Sequence, residues 1–214
     1  MGGAFDPIHI AHLVTADEAL VQFDLDEVLF MPAGNHPFKS RKLAPADFRY
    51  EMVAAATASN PHFLVSRYEL DKEGVTYTAD TLTFLARSLA PDAELFFVTG
   101  ADAVLDILSW KDPERVLTLC TLIAATRPGY DLGRLAEVLA HLGPGYSLDG
   151  PEARVRVMEV PALAISSTMI RERLASGRTV RYLLPDTVAE LAEKAGYYSR
   201  PDEGSPAVIS SHGL

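Results

Sequence analysis

Five short apolar runs constrain the fold of this chain more than any other feature. They read EVLFMPA (27–33), FLVSR (63–67), ELFFVT (94–99), LCTLIAA (119–125) and VRVMEV (155–160). Most are unalternating, which is the pattern of strands buried on both faces. Stretches with helical spacing lie before, between and after them: Ile10–Phe23, 45–59, 78–89 with Thr78 as its cap, 102–108, Ser167–Ala175 and Asp186–Ala195. Strand and helix in alternation predict parallel βαβ units and a doubly wound, mostly parallel sheet of the α/β class. In such a sheet ligands gather at the carboxyl ends of the strands. Residues 132–154 carry Gly143-Pro144-Gly145 and Gly150-Pro151 and read as a helix followed by a loop. Residues 199–214, rich in Ser, Pro and Gly, read as a disordered tail. That leaves 1–198 as a single domain, a size that buries a real core.

Composition removes several classes of function. The net charge of -10 disfavours nucleic acid as a partner, because that role wants a broad basic face. It leaves room for a small anion held by a few clustered cations. No apolar run reaches the ~18 residues of a membrane helix, and the start lacks the basic-then-apolar pattern of a signal peptide. The single cysteine, Cys120, lies in an apolar run and reads as a core residue. A cytoplasmic protein without a membrane partner fits these features.

Residues 2–12 read GGAFDPIHIAH. Gly2 and Gly3 allow close backbone approach to a ligand. Asp6-Pro7 signals a turn before the first helix. His9 and His12 are three apart and share a helix face, at an N-terminus whose free N–H groups and dipole attract phosphate. Two imidazoles there can donate hydrogen bonds as charge builds on phosphate oxygens. Each part also has an ordinary reading: a glycine turn, two surface histidines, or half of a metal site. The other histidines, His36, His62, His141 and His212, show no grouping that would complete a zinc centre.

Residues 165–171 read ISSTMIR. Ser166, Ser167 and Thr168 are helix-capping residues, and Arg171 falls one turn on, near Thr168. Hydroxyls and an arginine at a helix start make a second phosphate site. Alone, the segment reads first as an ordinary capped helix with a solvent-exposed arginine.

Together the two segments resemble the paired signatures of the nucleotidyltransferase superfamily, G-x-F-D-P-x-[HT]-x-G-H and I-S-x-T-x-x-R. Three intermediate stretches make the chain similar to bacterial nicotinate-nucleotide adenylyltransferases: Thr76-Tyr77-Thr78-Ala79-Asp80-Thr81, Gly100-Ala101-Asp102 with Trp110 after it, and Arg127-Pro128-Gly129-Tyr130. The resemblance runs from Gly2 to about Tyr198. It implies a Rossmann-like three-layer α/β/α sandwich and the reaction of ATP with nicotinate mononucleotide, Mg²⁺ accompanying the ATP phosphates. It assigns His9, His12 and Arg171 to catalysis. ATP would be bound by Gly2, Gly3, Phe5, His9, His12, Ser166, Thr168 and Arg171. Lys39, in the loop 35–42, is either a further phosphate ligand or a solvated lysine. Thr78, Asp102 and Trp110 would border the nicotinate mononucleotide, Trp110 either stacking on the pyridine or serving the core. The resemblance assigns no protein-held metal, and a homo-oligomer is compatible with it.

The chain departs from the pattern twice. Ala11 replaces the glycine between the histidines and brings a methyl group near the adenine; activity is expected to survive it. Met1 directly precedes Gly2, where the family has a short apolar strand, so the first strand is expected to be curtailed or the start to lie upstream. Phosphopantetheine and nicotinamide mononucleotide are alternative acceptors. A nucleotide-binding sensor without catalysis is the alternative of another class, and the presence of both histidines and Arg171 argues against it. A dehydrogenase would carry G-x-G-x-x-G after the first strand, which is absent.

Overall fold

The computed structural model describes residues 1–34, 43–143, 146, 148 and 153–199. The expected alternation is present as six strands: β1 (Gly2–Gly3), β2 (Val28–Pro32), β3 (Phe63–Val65), β4 (Phe96–Gly100), β5 (Thr121–Thr126) and β6 (Val155–Glu159). Helices α1 (Ile10–Phe23), α2 (Ala46–Thr57), α3 (Tyr68–Asp71) and α4 (Thr78–Ser88) fill the first half. Helices α5 (Ala101–Leu105), α6 (Pro113–Leu119), α7 (Leu132–Ala140), α8 (Ser167–Ala175) and α9 (Asp186–Ala195) follow. The tail expected over 199–214 lies, from residue 200 on, outside the described residues.

All the strand pairs are parallel, β2 between β1 and β3, and β5 between β4 and β6. β1 lies beside β4, so the order across the molecule is 3-2-1-4-5-6. The order reverses between β1 and β4, the place where doubly wound folds hold ligands. The structure corrects one expectation here: the ladder is interrupted, giving two three-stranded sheets rather than one. β1 has only two residues, and both pair with β2, Gly2 with Met31 and Gly3 with Pro32. The Met1 nitrogen extends that pairing by donating to the Leu29 carbonyl (2.8 Å). A methyl on Gly2 would stand 3.3 Å from the Phe97 ring of β4, so a glycine leaves room for that ring. A cavity of about 1100 Å³ runs past β1 as far as Thr78 and Trp110.

Side chains alternate across each half-sheet, as successive strand residues must. Val28 and Phe30 pack with Ala16 of α1, Met52 and Val53 of α2, Ile170 of α8 and Val188 of α9. Val98, Ile123 and Met158 meet Ala19 of α1. On the other face, Leu122, Ala124 and Val155 pack with Val104 of α5, Leu117 of α6, and Leu135 and Leu139 of α7. Burying each large apolar side chain is worth about 2 kcal/mol, and this double cover forms the three layers. Cys120 is buried with Ala79, Leu82 and Val116. Burial pushes its thiol up to about 12, consistent with a core residue. α3 and α6 are additional to the helices expected. α6 carries a recognisable start, with Pro113 in the first turn and the Asp112 carboxylate accepting from the Arg115 N–H. The helix expected over 102–108 divides into α5 and a 3₁₀ turn, Ile107–Ser109.

Candidate active site

The segment between β1 and α1 is fixed from beneath. Phe5 adopts φ 47, a left-handed conformation that an aromatic residue holds only under surrounding constraint. Its ring is buried and lies against Phe30, so its side chain belongs to the core. Asp6 is buried, and its Oδ1 accepts from the Tyr198 hydroxyl (2.8 Å) and the Ala44 N–H (3.3 Å). Buried Arg49 donates from Nη1 to the Ala4 carbonyl (2.8 Å) and from Nε to the Ala44 carbonyl (3.1 Å). Asp6 therefore shapes the turn. Arg49, inside a helix, and Tyr198, 192 residues from Asp6, carry no sequence signal for this role.

His9 caps α1 in extended conformation and stacks on His12, with ring centroids 3.6 Å apart and 18° between planes. The His9 N–H donates to His12 Nδ1 (3.2 Å). With Nδ1 an acceptor, the proton of a neutral His12 sits on Nε2. The Phe5 ring meets His12 edge-on at 5.1 Å and fixes the imidazole plane. His9 Nδ1 is buried with no hydrogen-bond partner among the described residues, the kind of orphan that asks for a functional explanation.

Burial lowers the His9 pKa to about 4, so the ring is neutral at pH 7. The unfolded chain takes up this proton near pH 6.5, while the folded chain resists it until about pH 4. The stability contributed is therefore full above 6.5, lost as pH falls between those values, and constant below. Between pH 7 and pH 5 the wild type is expected to lose about 2 kcal/mol more than His9→Gln. Urea unfolding at the two pH values measures the difference; equal losses in both proteins contradict it.

At α8, Ser166 is the N-cap, its Oγ accepting from the Met169 N–H (3.2 Å). Ser167 Oγ donates to the Pro7 carbonyl (2.8 Å) across 160 residues of sequence. Arg171 donates from Nη1 to the Asp6 carbonyl (2.7 Å) and from Nη2 to Thr168 Oγ1 (3.0 Å). These bonds place the starts of α1 and α8 side by side. Arg171 is half-buried; desolvation lowers its pKa from the ordinary value, yet a guanidinium stays charged at any physiological pH. The hydroxyl-bearing residues Ser166 and Thr168 are exposed beside it.

The other expected residues separate into groups. Gly2, Gly3, Thr78 and Trp110 line one cavity. Thr78 opens α4, and half-buried Trp110 lies edge-on to Phe97 at 6.1 Å. The indole thus serves the core and the cavity wall together. Asp102 stands outside that lining, exposed at the start of α5. It neighbours Tyr130, whose hydroxyl pKa is raised by burial first and then by the Asp102 carboxylate. Lys39 lies outside the described residues. Ala11 is half-buried in the first turn of α1, its carbonyl accepting from Thr15 Oγ1 (2.8 Å). Lys111, next to Trp110 on the same cavity, is a residue the motifs did not single out. Its only signal was a positive charge adjoining the aromatic.

Comparison with known proteins accords with this geometry. A cytidylyltransferase-like family model matches residues 1–173. The chain is 48% identical over 199 residues to a probable nicotinate-nucleotide adenylyltransferase of Moorella thermoacetica, covering 92% of this chain and 89% of that protein. It is 49% identical over 205 residues to one so named in Kineococcus radiotolerans, covering 95% and 92%. Among solved structures, a Plasmodium falciparum nicotinic acid mononucleotide adenylyltransferase complexed with NaAD superposes with a TM-score of 0.71. It shares 20% identity, over 92% of this chain and 94% of that one, and so speaks for the fold. The chain belongs to the cytidylyltransferase-like family and, within it, to the nicotinate-nucleotide adenylyltransferases.

Proposed function

We propose that this site moves the adenylyl group of ATP onto the phosphate of nicotinate mononucleotide, forming nicotinate adenine dinucleotide and pyrophosphate. One observation carries the reading: the bonds from Ser167 to the Pro7 carbonyl and from Arg171 to the Asp6 carbonyl bring two phosphate-binding helix starts together. Relatives named for this activity at 46% to 49% identity support the choice of acceptor.

A phosphate oxygen of the mononucleotide attacks the α-phosphorus in line. The bond from that phosphorus to the oxygen bridging the β-phosphate breaks, and the electron pair leaves with pyrophosphate. The protein supplies position and charge, without a nucleophile of its own. His12, through its Nε2–H, and neutral His9, stacked on it, contact the phosphates. Arg171, with the Ser166 and Thr168 hydroxyls, holds the β- and γ-phosphates. Gly2 and Gly3 admit the substrate to the backbone, and Thr78 and Trp110 border the pyridine. Among the described residues no three His, Cys, Asp or Glu side chains gather as a metal cage. Mg²⁺ would arrive on ATP, since this ion binds through phosphate oxygens and retained waters, and it would neutralise phosphate charge. A cytoplasmic setting supplies both. No helix among the described residues is long and apolar enough to cross a membrane.

The test is pyrophosphate release from Mg-ATP with nicotinate mononucleotide, nicotinamide mononucleotide or phosphopantetheine as acceptor. Nicotinate mononucleotide is expected to give the highest kcat/KM. ATP binding without release on any acceptor would leave the sensor reading, and a preference for phosphopantetheine would overturn the choice of acceptor.

A further inference from the structure

Lys111 is the only lysine or arginine among the described residues lining the cavity, which also carries seven Asp and Glu residues, and Lys72 and Asp80 stand beside it outside that lining. Lys111 follows Trp110 and lines the cavity with it, beside Tyr77 and Thr78. Its Nζ lies 4.4 Å from the centre of the Tyr77 ring and 3.2 Å from Asp80 Oδ2. Lys72 reaches the same carboxylate oxygen at 3.9 Å. Two ammonium groups thus share one carboxylate, and the cluster keeps a net positive charge. Asp80 sits in the first turn of α4, where the helix dipole already stabilises its negative charge, so its position is fixed. The Lys111 side chain is 51% exposed against 31% for Lys72, so Lys111 is the less enclosed of the two cations.

Resting on the function proposed above, we propose that Lys111 is the specificity-determining cation that favours a pyridine carboxylate over a carboxamide. The two acceptors are nearly the same shape and differ by one unit of charge, so shape selection in the cavity discriminates weakly. A carboxylate on a ring at Trp110 meets the ammonium at the adjoining residue. Asp80 holds that ammonium at 3.2 Å beside the cavity, and Lys72 balances Asp80 when Lys111 turns to the substrate. A carboxamide gains far less, since it carries no charge for the ammonium to meet. Lys111 is half-exposed, so solvent screens the interaction and the discrimination it supplies is roughly tenfold rather than a thousandfold.

The experiment compares wild type, Lys111→Met and Lys111→Arg, measuring kcat/KM for nicotinate and nicotinamide mononucleotides at saturating Mg-ATP and at two ionic strengths. Lys111→Met is expected to lower the nicotinate-to-nicotinamide ratio about tenfold, through KM for nicotinate mononucleotide. Lys111→Arg should keep most of the preference. The wild-type ratio should fall as salt is added, and the Met variant's ratio should respond far less. A Met variant that keeps the wild-type ratio, or loses both acceptors equally, overturns the inference and leaves the proposed function standing. A wild type that turns over neither acceptor overturns the proposed function, and this inference with it.

Discussion

His12→Ala is expected to lower kcat by about 10²–10³-fold, the usual effect of removing one preorganised donor to developing charge. The protein should remain folded. The reason lies in how the ring is held. Its Nδ1 is occupied by the His9 N–H, and Phe5 and His9 fix its plane. Nε2–H is then aimed without any reorganisation during the reaction. Alanine also removes the acceptor for the His9 N–H at the start of α1, which costs about 1 kcal/mol. His12→Asn separates the two effects. Its side-chain oxygen can accept from the same N–H but brings no imidazole donor to the phosphate. It should be as stable as wild type and nearly as slow as alanine. Turnover measured with nicotinate mononucleotide and a thermal melt of each variant decide the matter. A loss of less than tenfold in kcat for both would remove His12 from catalysis.

The parts of this protein that were legible in the sequence are those whose signal is local. Five apolar runs gave five strands; β2 and β5 are apolar because they are buried on both faces, whereas β3 and β6, at the sheet edges, keep exposed positions. The starts of α1 and α8 were legible because capping and turn residues act on their immediate neighbours. β1 was not, since two glycines carry no hydrophobic pattern; only the resemblance pointed to a strand there. The interruption between β1 and β4 was equally hidden, because pairing between strands some ninety residues apart leaves no local signal. At the site, GGAFDPIHIAH and ISSTMIR each spelled a helix start, but neither says where the other is. Contacts spanning 160 and 165 residues do that. The support from Arg49 and Tyr198 is also non-local and uses residue types common on any helix or tail. Phe5 illustrates the converse: the motif marks it, while its ring works under His12 in the core.

Arg171→Ala is expected to lower kcat/KM for ATP by about 10²–10³-fold, because two functions leave with one side chain. One is the positive charge beside the Ser166 and Thr168 hydroxyls, facing the phosphates. The other is the bond to the Asp6 carbonyl, which ties α8 to the turn carrying the histidines. A charged hydrogen bond of this kind is worth about 2 kcal/mol, so the variant should also unfold at lower urea. Arg171→Lys keeps the charge, yet an ammonium lacks the planar fork that serves Asp6 and Thr168 together. It should recover part of the ATP affinity and little of the stability. Ser167→Ala provides the contrast. It removes the other bond between the segments, Ser167 Oγ to the Pro7 carbonyl, and leaves every cation in place. Its cost in stability should be about 1 kcal/mol, with kcat/KM for ATP reduced less than tenfold. Were Ser167→Ala as damaging to catalysis as Arg171→Ala, the arginine would be acting by placing α8 and not through its charge. Assigning Arg171 to the β- and γ-phosphates would then be wrong.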